Sequence, residues 1–263
     1  MSDRLRFAKP SWWIFHWKQR NVAQFWWRYF RTEPFPDNFQ SVDEVVEFGK
    51  RHRVMGFNRE CIRSYIIWRL HRDRVCTSFV ETGTFYGHTS AYVNRVFRTP
   101  VFTTEIVRTH YLVSKANLLW AGGIQKSLSA SPDFLDRVCD PSLIGNHPMF
   151  YLDAHWQDHV PLLDELRIIA DRCERATIVI DDFMIPWEPK FLYDEYPSLR
   201  FDLDAIKTAF QDRREDVTVY LPTYRPDQDP TGKGIGFAVS LMGQDRELSN
   251  EVFPYDLLSK APS

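Results

Sequence analysis

The stretch FVETGTFYGHTS, residues 79–90, predicts a buried strand, a glycine turn and the first turn of a helix. Gly83 and Gly87 permit positive φ and a close approach of the backbone, which a ligand lying over the turn would need. Thr89 and Ser90 place hydroxyl groups and backbone N–H groups at the helix start, where a carboxylate or phosphate binds well. The turn is therefore a candidate site for an anionic group.

Glu81 stands at the end of the predicted strand. This carboxylate repels a pyrophosphate and attracts an ammonium group, so the turn suits a ligand with both an amine and a carboxylate. S-adenosylmethionine (SAM) is such a ligand. The stretch resembles the first motif of class I SAM-dependent methyltransferases, whose acidic-x-Gly turn holds the methionine end of the cofactor. The alternatives are an ordinary strand–turn–helix corner with packing glycines and, less well matched, a dinucleotide fingerprint, because only Gly83-x-x-x-Gly87 is present.

Length and composition favour one large α/β domain with extensions in this chain of 263 residues. Hydrophobic residues make up 44% and charged residues 26%, as in soluble globular proteins, and the net charge of −2 gives no reason to expect nucleic acid. The four cysteines form no C-x-x-C pair, so we expect no thiolate metal site and a cytoplasmic location. There is no apolar run of membrane-spanning length and no signal-peptide core at the N-terminus.

The first 32 residues differ in composition from the rest. They contain five of the nine tryptophans and set seven basic residues against one acidic residue. Interleaved aromatic and basic residues are typical of a segment that contacts a membrane surface, peripherally in this case. The alternative is an arm that packs on its own domain or forms a homo-oligomer. A proline-containing linker follows, so we predict an aromatic, helical arm with its linker at residues 1–36 and a methyltransferase domain at residues 37–263.

Strands and helices alternate after the glycine turn. Further strands are predicted at residues 101–106, 124–130, 149–153, 176–182, 217–220 and 234–240. Helices are predicted from Ser41, at about residues 59–71, directly after the glycine turn, and between the strand at residues 101–106 and Gly122. Further helices are predicted from Ser131, at residues 158–173 and at residues 204–210. This alternation predicts an α/β fold with a Rossmann-like, doubly wound, mostly parallel seven-stranded sheet and helices on both faces.

Carboxylates stand at the ends of four predicted strands. They are Glu81, Glu105, Asp153 and the pair Asp181 and Asp182. Ligands of open α/β sheets bind beyond the carboxyl ends of the strands. Glu105 lies 22 residues after Gly83, where a carboxylate can accept both ribose hydroxyls of a nucleoside. Because buried carboxylates need partners, these acids are poorly explained as core residues, and we expect a ligand site at this edge.

Three of these acids, Asp153, Asp181 and Asp182, suit Mg²⁺, which prefers oxygen ligands and retains waters. The sequences LDAHW at residues 152–156 and IDDF at residues 180–183 resemble the metal motifs of cation-dependent O-methyltransferases. That group includes the catechol, caffeoyl-CoA and macrocin-type sugar enzymes. The resemblance covers residues 77–242 and implies that Asp153, Asp181 and Asp182 hold Mg²⁺ or Mn²⁺ beside the cofactor.

The same resemblance implies a set of SAM contacts. They are Glu81, Thr82, Gly83, Thr84, Tyr86, Gly87, Thr89, Ser90, Glu105, Ile106, Ala130, Ser131, Asp153 and His155. Ala130 replaces an aspartate that many members have on the adenine side, which leaves Ser131 for that contact. Catechol-type enzymes use a lysine after the first metal aspartate as general base, and this chain has Trp156 and Gln157 there. The candidate catalytic residues are therefore Asp153, His155 and His159. The alternative for each histidine is that it begins a helix and forms hydrogen bonds only with backbone or water.

The aromatic segment at residues 184–200 is expected to roof an acceptor pocket, with residues 223–226 at its rim. The candidate substrate contacts are Trp187, Tyr193, Tyr224 and Arg225. The predicted function is Mg²⁺-dependent O-methylation of a hydroxyl on a sugar, glycan or small metabolite. Two alternatives stay open: metal-independent methylation of nitrogen or of a protein, and a non-catalytic module that binds a membrane or a partner.

Overall fold

The computed structural model describes residues 22–52, 54–155, 160–243, 247–249 and 252–262. One eight-stranded sheet runs through this part of the chain. Its strands are β1 (Ser78–Thr82), β2 (Val101–Glu105), β3 (Ile124–Leu128), β4 (Pro148–Leu152), β5 (Ala176–Ile180), β6 (Val217–Pro222), β7 (Ala238–Met242) and β8 (Leu258–Lys260). The short β8 at the edge is the one strand beyond the seven predicted.

The strand order is β3-β2-β1-β4-β5-β7-β6-β8. Strands β1 to β5 are parallel, whereas β7 runs antiparallel to β5 and β6, and β8 antiparallel to β6. The order reverses at β1, which pairs with β2 on one side and β4 on the other. Such a switch point opens a crevice at the carboxyl ends of the strands. The prediction of a mostly parallel, doubly wound sheet is confirmed.

Nine α-helices pack around the sheet in the described part of the chain. They are α1 (Val22–Arg31), α2 (Val42–His52), α3 (Cys61–Asp73), α4 (His88–Val96), α5 (Arg108–Asn117), α6 (Ser131–Val138), α7 (Pro141–Ile144), α8 (Leu162–Arg172) and α9 (Leu203–Phe210). Helix α8 packs between α6 and α9, α2 packs on α3, and α1 packs on α4 and α5. The helix expected from residue 158 begins at Leu162, with Pro161 as its N-cap.

The central strands are short, at five residues each. Every residue of β1, β2, β4, β5 and β7 is buried, as expected for strands covered on both faces. The strand predicted at residues 234–240 is displaced to Ala238–Met242. The reason is that Gly236 lies outside the sheet, where its N–H donates to the Leu192 carbonyl and its carbonyl accepts from the Phe183 N–H. A Cβ at Gly236 would lie 2.1 Å from the Phe183 carbonyl oxygen.

The described part of the N-terminal arm lies against the domain. The buried Phe25 of α1 places its ring 5.0 Å from that of His88, and Phe35 in the linker packs against Tyr65 and Trp68. Most of the tryptophan-rich arm, residues 1–21, lies outside the described residues. In the part of the chain that the structure describes, no helix has the length and apolar character that a membrane crossing requires.

Candidate active site

Three polar side chains meet where β4 and β5 end. Leu152 pairs with Thr82 on one side and with Ile180 on the other, so the strands end level and the residues after them become neighbours. One ligand atom each of Asp153, His155 and Asp182 lies within 4.8 Å of the other two. Two predicted metal ligands and one predicted catalytic residue are thus brought together.

His155 lies at the centre of this cluster. Its Nε2 is 2.9 Å from Asp182 Oδ2 and 3.4 Å from Asp153 Oδ1, and its Nδ1 is 2.9 Å from Asp194 Oδ2 and 2.6 Å from the Tyr196 hydroxyl. Burial alone would lower the pKa of His155, but its hydrogen bonds to the three carboxylates raise this pKa well above its ordinary value. These surroundings favour the imidazolium form of His155, whose charge offsets the aspartates.

The two aspartates of the cluster share an environment that opposes ionisation. Burial, followed by the charge of Asp181, raises the pKa of Asp153 to about 7 and raises that of Asp182. Asp182 also has left-handed backbone geometry, with φ of 52°, and its carbonyl oxygen accepts a hydrogen bond from the Asp194 N–H. Acids arranged in this way need a positive charge between them, which His155 or a divalent cation can supply.

Asp181 occupies a different position from the one implied by the metal motif. Its buried carboxylate forms an ion pair with Arg63 and accepts hydrogen bonds from the Tyr151 hydroxyl, Asn58 Nδ2 at 3.0 Å and the Asp182 N–H at 3.0 Å. Each oxygen thus has two protein partners, which fills the usual acceptor capacity of a carboxylate. The structure directs Asp181 into the interior and leaves Asp182 facing the cluster.

Arg63 and Asn58 are contributors that the sequence analysis missed. Arg63 lies on α3 with a fully buried side chain, and its Nη2 is 2.8 Å from Glu60 Oε2. The sequence signal for Arg63 was its place near apolar residues such as Ile62 and Tyr65, in a helix that is buried almost all round. A buried arginine requires carboxylate partners elsewhere in the chain.

Glu81 is enclosed between β1, β2 and α4. Its carboxylate accepts hydrogen bonds from the Ser90 hydroxyl and from Thr103 Oγ1 at 2.7 Å, and burial raises its pKa to about 8. Ser90 is therefore a partner of Glu81 in this structure. A ligand ammonium group near Glu81 would favour the ionised acid, as the predicted methionine contact requires.

Glu105 joins the glycine turn to the end of β2. Its two carboxylate oxygens accept the backbone N–H groups of Phe85 and Val107, each at 2.8 Å. Burial raises the pKa of Glu105, and these backbone hydrogen bonds partly offset the rise. The acid is fixed at the edge where a nucleoside was predicted to bind, next to Ile106, whose apolar side chain is exposed.

The two glycines of the turn are explained by packing within the chain. Gly83 has φ of 84°, and a Cβ there would lie 2.3 Å from the Asp153 carbonyl oxygen. Gly87 has φ of 82°, and its Cβ would meet the Leu118 side chain at 2.9 Å. The turn is therefore pressed directly against the residue that begins the acidic cluster.

The sequence matches no model of a protein family, and it matches no curated protein. The structure, however, is similar to solved structures. An O-methyltransferase from Bacillus cereus, solved with S-adenosylhomocysteine (SAH), aligns with a TM-score of 0.50 and 15% identity, over 78% of this chain and 92% of that chain. The fold is that of a class I SAM-dependent methyltransferase. The O-methyltransferase TomG from Streptomyces achromogenes, solved with SAM, has a TM-score of 0.47 and 17% identity, over 79% of this chain and 92% of that chain.

Within this methyltransferase fold, a set of buried polar atoms fits a polar cofactor. Thr82 Oγ1, Ser131 Oγ and Glu165 Oε1 are buried and make no hydrogen bond of good geometry with the described residues. Burial raises the pKa of Glu165 to about 7, although the nearby hydroxyls of Ser131 and Thr82 act in the opposite direction. Buried polar atoms normally have partners, so a ligand with donors and acceptors would complete this set. Glu165, at the start of α8, was not predicted.

The four predicted substrate residues differ in their exposure to solvent. Trp187 and Tyr193 are exposed, and Trp187 donates to the Pro222 carbonyl at 2.9 Å. Tyr224 is buried rather than at a rim, with its ring 5.6 Å from that of Phe191. Arg225 is at the surface, where it pairs with an aspartate.

From the aromatic segment at residues 184–200, the groups that reach the cluster are Asp194 and Tyr196. Asp194 was not predicted, because no sequence pattern indicates that it lies opposite His155. His159 lies outside the described residues.

Proposed function

We propose that the protein is a SAM-dependent O-methyltransferase that acts on a hydroxyl of a small molecule, sugar or glycan. The observation that supports it is the cluster of Asp153, His155 and Asp182 at the carboxyl edge of a methyltransferase sheet. Buried carboxylates at the ends of the neighbouring strands β1 and β2 extend the same edge. Perturbed acids and a histidine that converge in this way are typical of catalytic sites.

When bound, SAM supplies an electrophilic methyl group, and a divalent cation lowers the pKa of an acceptor hydroxyl and orients it. Glu81 would face the ammonium group of the cofactor, and Glu105 would accept its ribose hydroxyls. Asp153 and Asp182 would hold Mg²⁺ or Mn²⁺ through carboxylate oxygens, with His155 Nε2 as a nitrogen ligand. Because nitrogen ligands favour Mn²⁺ over Mg²⁺, we expect tighter binding of Mn²⁺.

His155 also provides a route for the proton of the acceptor. In its neutral form, Nε2 would accept that proton, while Asp194 and Tyr196 on the Nδ1 side would hold the ring in orientation. Nε2 cannot hold a cation and a proton together, so the ring must serve one role at a time. In the alternative function, metal-independent methylation of nitrogen or of a protein, a protonated His155 between the two aspartates would take the place of the cation.

Conversion of SAM to SAH across a panel of catechols, sugars and hydroxylated metabolites tests the proposal. We expect turnover that needs Mg²⁺ or Mn²⁺, stops in EDTA and falls at least about tenfold in Asp182→Asn. Asp164→Asn is the matched control, because Asp164 is an exposed acid on α8 and should leave turnover unchanged. Turnover that persists in EDTA would favour the metal-independent alternative, and failure to bind SAH would refute both.

A further inference from the structure

A basic cavity of about 270 Å³ lies outside the acidic cluster. It is enclosed by α1, α2, the segment at residues 54–59 and the start of α4. Its described lining residues are Arg28, Gly49, Lys50, Val54, Met55, Arg59, His88 and Thr231. Three of these eight residues are cationic, one is a histidine and none is acidic. A cavity with such a lining creates a positive potential that favours an anion.

His88 is one of the residues that line the cavity. Its Nε2 is buried and makes no hydrogen bond with the described residues. His88 is also the first residue of α4, whose preceding residue Gly87 gives no side-chain cap to the helix N–H groups. Burial, followed by the charges of Arg28 and Arg59, lowers the pKa of His88 to about 3. A bound anion would offset the charges of these two arginines.

Three carboxylates lie within two residues of the lining residues in the sequence, and each has a partner of its own. Asp229 accepts the Ile62 N–H at 2.8 Å and the Thr231 N–H at 3.2 Å. Glu60 faces Arg63 and accepts the Ile235 N–H. Glu47 pairs with Lys50 at 2.9 Å, but both side chains are more than half exposed, and such surface pairs are weak. Lys50 can therefore turn toward an anion at little cost.

The cavity borders the candidate active site. Asn58, next to Arg59, donates to Asp181, and the Phe57 N–H donates to Thr89 Oγ1, next to His88, at 3.3 Å. Phe57, Asn58 and Arg59 are three successive non-glycine residues with positive φ, of 49°, 57° and 69°. The backbone that carries Arg59 therefore has an uncommon conformation. The volume is slightly below the range of about 300–1,000 Å³ for whole-ligand pockets, so it suits one end of a ligand.

We propose that this cavity binds an anionic oxygen group, a carboxylate or a phosphate, of a ligand that extends into the active site. The group belongs either to the methionine end of SAM or to an anionic acceptor. Only the identity of the ligand rests on the proposed methyltransferase function. Anion binding itself rests on Lys50, Arg59 and His88 together with the volume they enclose.

The first test is calorimetric titration of the full chain with inorganic phosphate, without SAM or metal. The variant Lys50→Gln/Arg59→Gln removes two charges from the cavity. The control Arg51→Gln/Arg98→Gln removes two charges from exposed positions that do not line it. We expect the wild type and the control to bind phosphate equally, and the cavity variant to bind at least about tenfold more weakly. Equal binding by all three, or no binding by the wild type, would overturn the proposal.

A second measurement needs no variant of the cavity. Phosphate should raise the midpoint of the His88 imidazole titration, followed by NMR in the wild-type protein, because an anion offsets the charges of Arg28 and Arg59. A midpoint that phosphate leaves unmoved would contradict binding beside this ring.

Two compounds related to SAM, namely SAH and 5′-methylthioadenosine, distinguish the two sources of the anion. If the cavity holds the methionine carboxylate, the cavity variant should lose at least about tenfold in affinity for SAH but not for 5′-methylthioadenosine, which lacks that carboxylate. If it holds an anion of the acceptor, SAH should bind equally to all three proteins and leave phosphate binding intact. Absence of SAH binding in the wild type would refute the methyltransferase function, whereas the phosphate titration would still stand.

Discussion

Replacing Arg63 by methionine tests whether Asp181 belongs to a buried ion pair. The side chains of Arg63 and Asp181 are 0% and 1% exposed, and Glu60 shares the same guanidinium. Removing one partner of a buried pair costs about 3–5 kcal/mol, because it leaves uncompensated charge in the interior. For a chain of this size, about 1 kcal/mol corresponds to about 2–4 °C, so the melting temperature should fall by about 10 °C.

Asp181→Asn should cost less, about 1–3 kcal/mol, because Glu60 remains as a counter-charge at 2.8 Å from Arg63. The double variant Arg63→Met/Asp181→Asn should be less destabilised than the sum of the single changes, with an interaction free energy of about 1–3 kcal/mol. Urea unfolding measures all three. Arg172→Met is the control, since its pair with Asp136 is half exposed and should contribute less than about 1 kcal/mol. Additive effects, or a loss below about 1 kcal/mol in Arg63→Met, would refute the reasoning.

The remaining predictions concern the cation, Glu81 and the arm. Asp181→Asn should retain Mn²⁺ binding by calorimetry, whereas Asp182→Asn should weaken it at least about tenfold, and the reverse order would restore Asp181 as a ligand. Because the pKa of Glu81 is raised from 4.5 to about 8, its contribution to stability is greatest below pH 4.5 and is lost as the pH rises toward 8. The unfolding free energy of the wild type relative to Glu81→Gln should therefore fall across that range, and a constant difference would contradict the shift. If the arm contacts membranes, the intact protein should pellet with anionic vesicles and a chain lacking residues 1–21 should not. A truncation that instead changes the mass in solution would favour the oligomer.

The sheet and the acids at its edge could be predicted from local patterns. Short apolar runs that end on a carboxylate, such as those before Asp153 and Asp181, predict parallel strands with polar residues at their carboxyl ends. The predicted strand limits agree with the structure to within a few residues, because a strand that is buried on both faces appears in the sequence as a continuous apolar run. The limits predicted for the strand at residues 234–240 were wrong by several residues. Gly236 accepts a hydrogen bond from the Phe183 N–H instead of pairing within the sheet.

The partners of the acids could not be predicted. Asp181 and Asp182 are adjacent, and strand alternation ends at Ile180, so no periodicity indicates which of them faces the cluster. Asp182 has a positive φ, and its carbonyl oxygen accepts a hydrogen bond from Asp194, a residue of a distant loop that the local pattern does not indicate. Arg63 lies 118 residues before Asp181, and a single sequence contains no measure of distance between them.

The contact between Gly83 and the Asp153 carbonyl has a consequence for mutational scanning. An added methyl group at residue 83 would begin 2.3 Å from that oxygen, whereas ordinary contact needs about 3.5 Å. Alanine at residue 83 would therefore force the glycine turn and Asp153 apart by about 1 Å. A displacement of that size in an active site can lower the reaction rate by about 100-fold. A screen of variants by activity would rank Gly83 with the acids, although it has no side chain to offer a substrate. Gly83 acts as a spacer between the glycine turn and Asp153, and under the proposed function it would set the separation between methyl donor and acceptor.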